Sequence, residues 1–182
     1  ISGLKLCEYL RNFHKRNYFT VMPTNLYGEN DNYNPATSHV IPAIISKVKK
    51  AKENNYKEIK LLGTGKAKRE FLYVDDLAEA SIIAMKKNKK YSIVNIGSGQ
   101  EIRIRDLVDM VGQILRRPIK IESDPKRSRP EQSEVDRLLA NNSLARDLLG
   151  WQPKVSLKEG LQLTASWIQK RLDSFDPNAY VL

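Results

Sequence analysis

Several features are scarce in this sequence of 182 residues, and each scarcity excludes a class of protein. The single cysteine, Cys7, rules out a disulfide framework and a cysteine-rich zinc site, and it is compatible with a reducing compartment. No apolar run approaches the roughly 20 residues that span a bilayer. No segment combines a basic start, an apolar run and a cleavage site, as a secretory signal does. The sequence therefore predicts a cytoplasmic protein without a membrane span, in which Cys7 is a buried thiol.

Acidic residues are outnumbered by basic ones, with 21 Asp and Glu against 31 Lys and Arg, for a formal net charge of +10. Such an excess is typical of proteins with a polyanionic partner, such as nucleic acid, an acidic surface or a phosphate-bearing small ligand. The basic residues are dispersed at predicted helix ends and in loops, which is typical of solvated faces. A basic nucleic-acid-binding module stays open as one alternative.

Hydrophobic periodicity predicts a mixed α/β chain. The run at 18–22 lacks polar alternation, which indicates a strand buried on both faces of a parallel sheet, and the Asn-rich stretch 25–38 indicates a loop. Asp76 with Glu79, and Ser156 with Glu159, predict capped helix starts. Helices are predicted at about 1–15, 40–52, 77–86, 104–115, 144–149 and 156–172, and strands at about 18–22, 59–62, 70–74, 91–96 and 119–121.

The phosphate-binding turn of a dinucleotide-binding unit is missing. Such a unit normally opens with a strand, a Gly-rich turn and a helix whose N-terminus holds phosphate. The pairs Gly63/Gly65 and Gly97/Gly99 lack the third glycine and the helix, so they are interpreted as turns. The chain also begins with Ile1 rather than Met. We therefore expect a piece of a longer protein that contains only part of a doubly wound sheet.

The stretch MPTNLYG, which ends at Gly28, follows the first predicted strand. In a parallel α/β sheet, the carboxyl ends of the strands form the edge where ligands bind. Pro23 removes a donor from the strand ladder, and Asn25 offers both amide hydrogens and a carbonyl to a bound ring. The residues alone leave two interpretations open, a ligand contact and a plain strand-to-loop turn.

Several motifs together resemble a known family. MPTNLYG, the Asn-rich loop, SHVIPA and LLGTGKAKREFLYVDDLAEA occur in the order and spacing of the GDP-L-fucose synthase group of the extended short-chain dehydrogenase/reductase family. This resemblance covers residues 1 to about 125. The later stretches RSRPEQSEVDRLL and LGWQPKVSLKEGL are similar to the wider group of nucleotide-sugar epimerases and dehydratases.

The resemblance implies a fold for all of residues 1–182. That fold is the C-terminal part of a Rossmann-like doubly wound sheet plus a smaller α/β substrate-binding domain. The Rossmann elements, at about 1–28 and 70–96, are interleaved with substrate-binding elements at about 29–69 and 97–175.

The implied activity is epimerisation of a GDP-4-keto-6-deoxyhexose followed by reduction of its ketone with NADPH, with NAD as the alternative cofactor. The family's Tyr-x-x-x-Lys motif, Gly-rich loop and epimerisation Cys would lie before Ile1. We therefore expect the chain alone to be inactive and the full-length protein to be a cytoplasmic homodimer that binds neither membrane nor specific nucleic acid. Alternatives are another nucleotide-sugar 4-epimerase or 4,6-dehydratase, and a folded interaction subunit.

The resemblance also assigns roles to individual residues. His39, in SHVIP, is the implied acid/base of epimerisation and approaches the cofactor, and an imidazole suits that role because it titrates near neutrality. The alternative is a capping or surface histidine. Asn25 is implied to contact both cofactor and substrate. The residues implied to line the nicotinamide side of the cofactor are Pro23, Thr24, Asn25, Leu26 and His39.

The implied contacts to the nucleotide-sugar depart from the family at two positions. Lys47 stands where the family commonly has Arg, so it supplies charge without the bidentate fork. Leu62 stands where relatives often have Trp. Arg69 suits a diphosphate by its geometry, whereas Asp75 and Asp76 are expected to cap a helix rather than to bind a metal. The implied substrate contacts are Asn25, Lys47, Leu62, Arg69, Arg129 and Arg137, with Arg127 beside Arg129.

Overall fold

A computed structural model describes residues 1–34, 37–124 and 135–171. Its alternation of helices with parallel strand pairs confirms the predicted α/β class. The helices are α1 (Ser2–His14), α2 (Val40–Glu53), α3 (Val74–Lys87), α4 (Ile104–Ile114) and α5 (Leu157–Arg171), with a π-helical turn at Ala145–Leu149. The strands are β1 (Thr20–Pro23), β2 (Asn25–Tyr27), β3 (Glu58–Leu62), β4 (Lys68–Tyr73), β5 (Ile93–Ile96), β6 (Glu101–Arg103), β7 (Lys120–Asp124) and β8 (Arg137–Leu138).

Contacts between residues divide the chain into two compact units. The predicted ranges of the Rossmann elements, at about 1–28 and 70–96, agree closely with the residue ranges of the first two segments of unit 1. The segment Leu139–Val155 also belongs to unit 1, whereas the sequence analysis placed it among the substrate-binding elements. The functional assignment of the two units stays a prediction. Unit 1 comprises Ile1–Leu26, Glu70–Gln100 and Leu139–Val155, and unit 2 comprises Tyr27–Arg69, Glu101–Leu138 and Ser156–Leu182.

Unit 1 is built around the parallel pair of β1 and β5, which runs from Thr20 opposite Ile93 to Pro23 opposite Ile96. The chain leaves the π-helical turn at Gly150, whose φ of 64° is the left-handed conformation that glycine adopts at helix ends. Apolar side chains of β4, β5, α3 and the π-helical turn pack together in one core. Its buried members are Leu72, Ala80, Ala84, Val94, Ile96, Ala145, Leu149 and Trp151.

Unit 2 contains the parallel pair of β3 and β7 and the helices α2, α4 and α5. The start of α5 confirms the predicted serine cap, because the Glu159 amide donates to Ser156 Oγ at 3.2 Å. On α5, the ring of Trp167 stacks on that of Tyr33, with 6.2 Å between centroids. The buried apolar residues of these elements are Ile41, Ile44, Ile45, Val48, Ala51, Ile59, Leu61, Leu107, Val108, Val111, Leu161, Ala165 and Ile168.

A further sheet has the strand order β2-β4-β6, and β8 also pairs with β4. In that parallel pair Lys68 lies opposite Arg137 and Arg69 opposite Leu138. The strands β2 and β6 were not predicted, since both are only three residues long and β2 lies in the stretch interpreted as loop. The alternation of side chains along β4 decides which basic residues share a face, as described below.

Two expectations about burial are wrong. The strand β1 was predicted to be buried on both faces, but Met22 and Pro23 are exposed while Thr20 and Val21 are partly buried. Cys7 was predicted to be a buried thiol, but it is partly exposed, and among the described residues of α1 none is buried. Helical periodicity locates α1 correctly without showing which of its residues are covered.

The predicted capping role of Asp76 is also wrong. The N-cap of α3 is Tyr73, so the helix begins earlier than predicted and Asp76 lies inside its first turn. Asp76 is 3% exposed, and its two carboxylate oxygens accept hydrogen bonds from the backbone amides of Lys154 and Val155 at 3.0 and 3.1 Å. This side chain therefore ties the end of the Leu139–Val155 segment to α3.

We expect Asp76→Asn to destabilise the protein by about 1 to 3 kcal/mol, because an amide can accept only one of the two backbone hydrogen bonds and the other donor is left buried without a partner. Asp75→Asn is the matched control, since Asp75 is an exposed residue of the same helical turn and carries the same charge. Thermal unfolding of both variants measures the difference. Equal losses in the two variants would show that the effect comes from the helix dipole instead.

Candidate functional site

The end of β1 carries the predicted cofactor contacts in unit 1. The Thr24 amide continues the pairing with β5 by donating to the Ile96 carbonyl at 3.1 Å. Asn25, which is exposed, donates from Nδ2 to the Glu70 carbonyl at 2.9 Å. The hydroxyl oxygen of Thr24 is buried and has no hydrogen-bond partner among the described residues. The Thr24 backbone amide and the Asn25 side chain thus hold the segment 23–26 in place. The buried Thr24 hydroxyl is able to form a hydrogen bond with a ligand.

A buried carboxylate, that of Glu70, organises the turn next to this segment. Glu70 is 1% exposed. Its Oε1 accepts hydrogen bonds from the Gly99 amide at 2.6 Å and from Ser98 Oγ at 3.4 Å, and its Oε2 accepts one from the Ala140 amide at 2.6 Å. Sequence analysis missed this residue. The available signal was a single carboxylate at the start of the apolar run EFLYV.

Gly97 makes the close approach of these groups possible. A Cβ on Gly97 would lie 2.5 Å from Glu70 Oε1, closer than real Cβ contacts, and 3.0 Å from Thr24 Cγ2, tighter than nine in ten of them. Glycine is needed here because a side chain would push the carboxylate and the threonine apart. The stretch 97–99 connects β5 to β6, and its position next to Thr24 depends on the absence of a side chain at Gly97.

His39 occupies the N-cap position of α2 in unit 2. No hydrogen bond from its side chain to the helix start is present among the described residues. The imidazole is 80% exposed, and its Nδ1 lies 3.9 Å from Oδ1 of Asp31, whose side chain is 14% exposed. The position is the one expected of a capping histidine, but the imidazole does not cap.

The Asn-rich loop before His39 is held by its own side chains. The backbone N–H of Asn34 donates to Asn32 Oδ1 at 2.9 Å, and the side-chain Nδ2 of Asn32 donates to Thr37 Oγ1 at 2.9 Å. The backbone N–H of Asn32 donates to Asp31 Oδ1 at 2.7 Å. Asparagine suits these positions because its side-chain amide replaces the backbone hydrogen-bond partners that a helix or a strand would provide. The composition that predicted a loop also explains how its described residues 31–34 are held.

Burial changes two pKa values in this loop. Burial raises the pKa of the Asp31 carboxyl above its usual range, against the opposing effects of the Asn32 hydrogen bond and of His39. Burial also raises the pKa of Tyr33, with additional contributions from the negative charges of Asp31 and Glu29. The carboxylate beside His39 is therefore costly to keep ionised without a positive partner.

Two of the predicted substrate contacts, Lys47 and Arg69, donate to backbone carbonyls. Lys47 is exposed on α2 and its Nζ donates to the Lys60 carbonyl at 2.7 Å. Arg69, on β4, donates from Nη1 to the Lys68 carbonyl at 2.7 Å. Leu62 is the last residue of β3, opposite Asp124 in β7. Arg127 and Arg129 lie outside the described residues.

Arg137 belongs to an ion-pair cluster with Lys68 and Glu101. Glu101 accepts a hydrogen bond from Lys68 Nζ at 2.8 Å and another from Arg137 Nε. These two hydrogen bonds hold the pKa of Glu101 below its usual range, and the one from Lys68 has the larger effect. Because Arg137 is in register with Lys68, it shares a face with Lys68, and Arg69 lies on the opposite face of the paired strands. The structure thus separates Arg69 from Arg137.

The predicted site residues are distributed over both units. Pro23, Thr24, Asn25 and Leu26 belong to unit 1. His39, Lys47, Leu62, Arg69 and Arg137 belong to unit 2. Within the described parts of the chain, no group of three His, Cys, Asp or Glu side chains could hold a metal ion. None of the described helices has the length and hydropathy to cross a membrane.

Comparison with known proteins identifies similar enzymes. The chain is 41% identical over 172 residues to GDP-L-fucose synthase 1 of Arabidopsis thaliana, covering 94% of this chain and 52% of the relative. It is 35% identical over 184 residues to GDP-L-fucose synthase of Escherichia coli, covering 96% and 56%. The chain thus spans about half the length of the curated relatives that it matches.

A solved structure shares the fold. The UDP-glucose 4-epimerase of Thermotoga maritima, solved with UDP-glucose, superposes with a TM-score of 0.80 at 26% identity, and the match covers 94% of this chain and 52% of that one. The family described as "NAD dependent epimerase/dehydratase family" matches residues 1–97. These residues are more than half of the 182, contain β1 to β5 and include most of the predicted contacts. The chain therefore belongs to the NAD dependent epimerase/dehydratase family.

Proposed function

We propose that this chain is the C-terminal half of an enzyme that epimerises a GDP-4-keto-6-deoxyhexose and reduces its ketone with NADPH. The observation that carries the proposal is the 35 to 41% identity, over nearly the whole chain, to proteins named GDP-L-fucose synthase. The whole protein would act in the cytoplasm as a homodimer on a nucleotide-diphosphate sugar, without specific nucleic-acid binding. The apolar side chains of Leu6, Tyr9 and Phe13 on α1 are exposed, which supports the packing of that helix against another surface, as in the proposed homodimer.

The residues at the end of β1 fit one edge of the cofactor. A buried, unpartnered Thr24 hydroxyl and the exposed Asn25 amide offer the polar groups that a nicotinamide carboxamide needs. Pro23, Thr24, Asn25 and Leu26 would hold this end, and the phosphate-binding loop belongs to the other half. His39 is proposed as a further cofactor contact. When bound, NADPH supplies the hydride that reduces the C4 ketone. Glu70 keeps the neighbouring turn in place.

His39 is the proposed acid of the epimerisation. Its exposed imidazole can reach a ligand, and Asp31 lies behind Nδ1, so Nε2 is the atom that would exchange a proton with the sugar. Carbons beside a ketone lose a proton because the resulting negative charge is delocalised onto the carbonyl oxygen. An imidazolium close to such a carbon returns a proton at neutral pH.

The basic residues of unit 2 are the proposed contacts to the nucleotide-sugar. Arg69 is partly buried and the described bonds use its Nη1, so the guanidinium keeps donors for a diphosphate. Lys47 adds charge from α2, and Leu62, Asn25 and Arg129 complete the proposed set. Arg137 is held by Glu101 on the opposite face from Arg69, so we propose it as a secondary contact.

A second candidate function is 4-epimerisation of a UDP-sugar. It is supported by the 26% identity and the TM-score of 0.80 to the Thermotoga maritima epimerase. It predicts product formation without net consumption of NADPH. Substrate and product therefore separate the two candidates.

The test uses the whole protein that contains this chain, with GDP-4-keto-6-deoxymannose and NADPH. We expect NADPH oxidation and an NMR spectrum of a product inverted at both carbons beside C4. We expect the 182-residue chain alone to show only background oxidation, because the proton-donating Tyr, the Lys and the phosphate loop are absent. Turnover by the chain alone at the rate of the whole protein, or conversion of UDP-glucose in place of the GDP-sugar, would contradict the proposal.

A further inference from the structure

Asp31 is the carboxylate beside the proposed acid His39. Its Oδ1 accepts the Asn32 amide at 2.7 Å and faces His39 Nδ1 at 3.9 Å. Its Oδ2 is buried and has no hydrogen-bond partner among the described residues. Buried carboxylate oxygens normally have hydrogen-bond partners, so this carboxylate retains the capacity to accept a further hydrogen bond.

The His39 imidazole can supply such a hydrogen bond, because its Nδ1 lies 3.9 Å from Oδ1 of this carboxylate. At 3.9 Å the two atoms are within ion-pair distance and beyond hydrogen-bond distance. Hydrogen bonds of catalytic groups are often long before substrate binds and tighten in the complex. The hydrogen bond from the Asn32 backbone amide holds the carboxylate in place, so the exposed imidazole is the group that moves.

We propose that Asp31 is a positioning residue that orients the His39 imidazole through Nδ1 and stabilises its protonated form, so that Nε2 faces the sugar. The inference rests on the proposed function and adds a residue to its epimerisation step. No other feature of the loop supplies a negative charge to that side of the imidazole at comparable distance among the described contacts.

The step balances as a simple proton transfer. After a thiolate base in the other half has removed a proton, the sugar carries an enolate. The enolate electron pair forms a new C–H bond with the proton on Nε2 of His39, and the N–H bond breaks. The C4 ketone is restored and a neutral imidazole remains beside the Asp31 carboxylate. No oxidant or reductant is consumed, and the hydride step follows separately.

The effect of Asp31→Asn on the stability of the protein distinguishes a positioning role of Asp31 from a structural one. Because burial raises the pKa of Asp31 in the folded state, its contribution to stability is fully present below the unfolded pKa and is lost as the pH rises through the folded pKa. The titratable group that acts on this carboxylate is His39 at the start of α2, and the negative charges of Asp31 and Glu29 in turn raise the pKa of Tyr33 in the same loop. At neutral pH, Asp31→Asn therefore removes an unfavourable buried charge while its amide oxygen can keep the Asn32 hydrogen bond.

The test is Asp31→Asn in the whole protein. In D2O, with NADP⁺ in place of NADPH, hydride transfer to the sugar cannot occur, so deuterium entering the carbons beside C4 reports proton exchange alone. We expect this exchange to fall about 10- to 100-fold, with the melting temperature at pH 7 unchanged or raised and Asp31→Glu restoring part of the rate. Glu29→Gln is the matched control, an exposed carboxylate two residues away, and we expect it to leave exchange unchanged.

Nitrogen NMR of the His39 imidazole adds a readout that does not depend on turnover. We expect Nδ1 to carry the proton in the neutral parent protein and this preference to disappear in Asp31→Asn. Parental exchange and an unchanged tautomer in Asp31→Asn would overturn the inference while leaving the proposed function intact. A lower melting temperature with normal exchange would make Asp31 structural. A parent protein without any exchange would refute the proposed function itself, and the positioning role of Asp31 with it.

Discussion

His39→Gln in the whole protein is expected to slow inversion at the carbons beside the C4 ketone by about 10²- to 10⁴-fold, the usual contribution of a positioned acid or base. The imidazole is exposed and caps nothing, so its loss should leave the fold intact. Glutamine keeps a polar side chain of similar reach but cannot give up a proton at neutral pH. Deuterium exchange and the stereochemistry of the product measure the effect.

The chain offers a matched control for this variant. His14, the only other histidine in the sequence, is exposed at the end of α1 and contacts the Tyr9 ring. We expect His14→Gln to leave exchange within about twofold of the parent, as surface substitutions usually do. A rise in KM with unchanged kcat in His39→Gln would instead assign His39 to binding.

Glu70→Gln is expected to lower the free energy of unfolding by about 2 to 4 kcal/mol. Both carboxylate oxygens accept backbone amides at 2.6 Å, and an amide side chain would place an NH2 group against one of these donors. The amide left without an acceptor stays buried, which costs about 1 to 3 kcal/mol, and the charge of the second hydrogen bond is lost as well. No rotamer of glutamine satisfies both donors.

Native-state hydrogen exchange measures this prediction directly at the Gly99 and Ala140 amides, which should exchange faster in Glu70→Gln. Glu58→Gln provides the comparison, because Glu58 is an exposed strand residue and its loss should change stability by less than about 0.5 kcal/mol. Unchanged protection of both amides in Glu70→Gln would show that other groups hold the turn.

Long helices were predictable from the sequence because their signals are local and repeated. The apolar faces of α2 and α4 extend over three turns, and the observed bounds differ from the predicted ones by about one residue. The Ser156 cap and the Gly150 stop depend on single residues with strong conformational preferences.

The missed features depend on partners far away in the chain. Glu70 binds an amide 70 positions later, and Asp76 binds amides 78 and 79 positions later. A carboxylate near a helix start has the same local pattern whether it caps the helix or reaches another segment. Sequence patterns therefore located Asp76 at the correct helix and gave it the wrong partner.

The candidate site was predictable in its residue types and less so in their arrangement. The resemblance selected Thr24, Asn25 and His39 through their motifs. It could not indicate that Arg69 and Arg137 occupy opposite faces, because that follows from the register of β4 and β8. Asp31 escaped notice because a single acidic residue in an Asn-rich loop has no distinctive spacing.

The stacking of Trp167 on Tyr33 makes the Asn-rich loop optically observable. The sequence has two tryptophans, and the other, Trp151, belongs to the core of unit 1. Within these 182 residues, Trp151→Phe would leave Trp167 as the one indole, and its neighbour Tyr33 lies two residues from Asp31. Fluorescence of that indole would report on the loop without any chemical label.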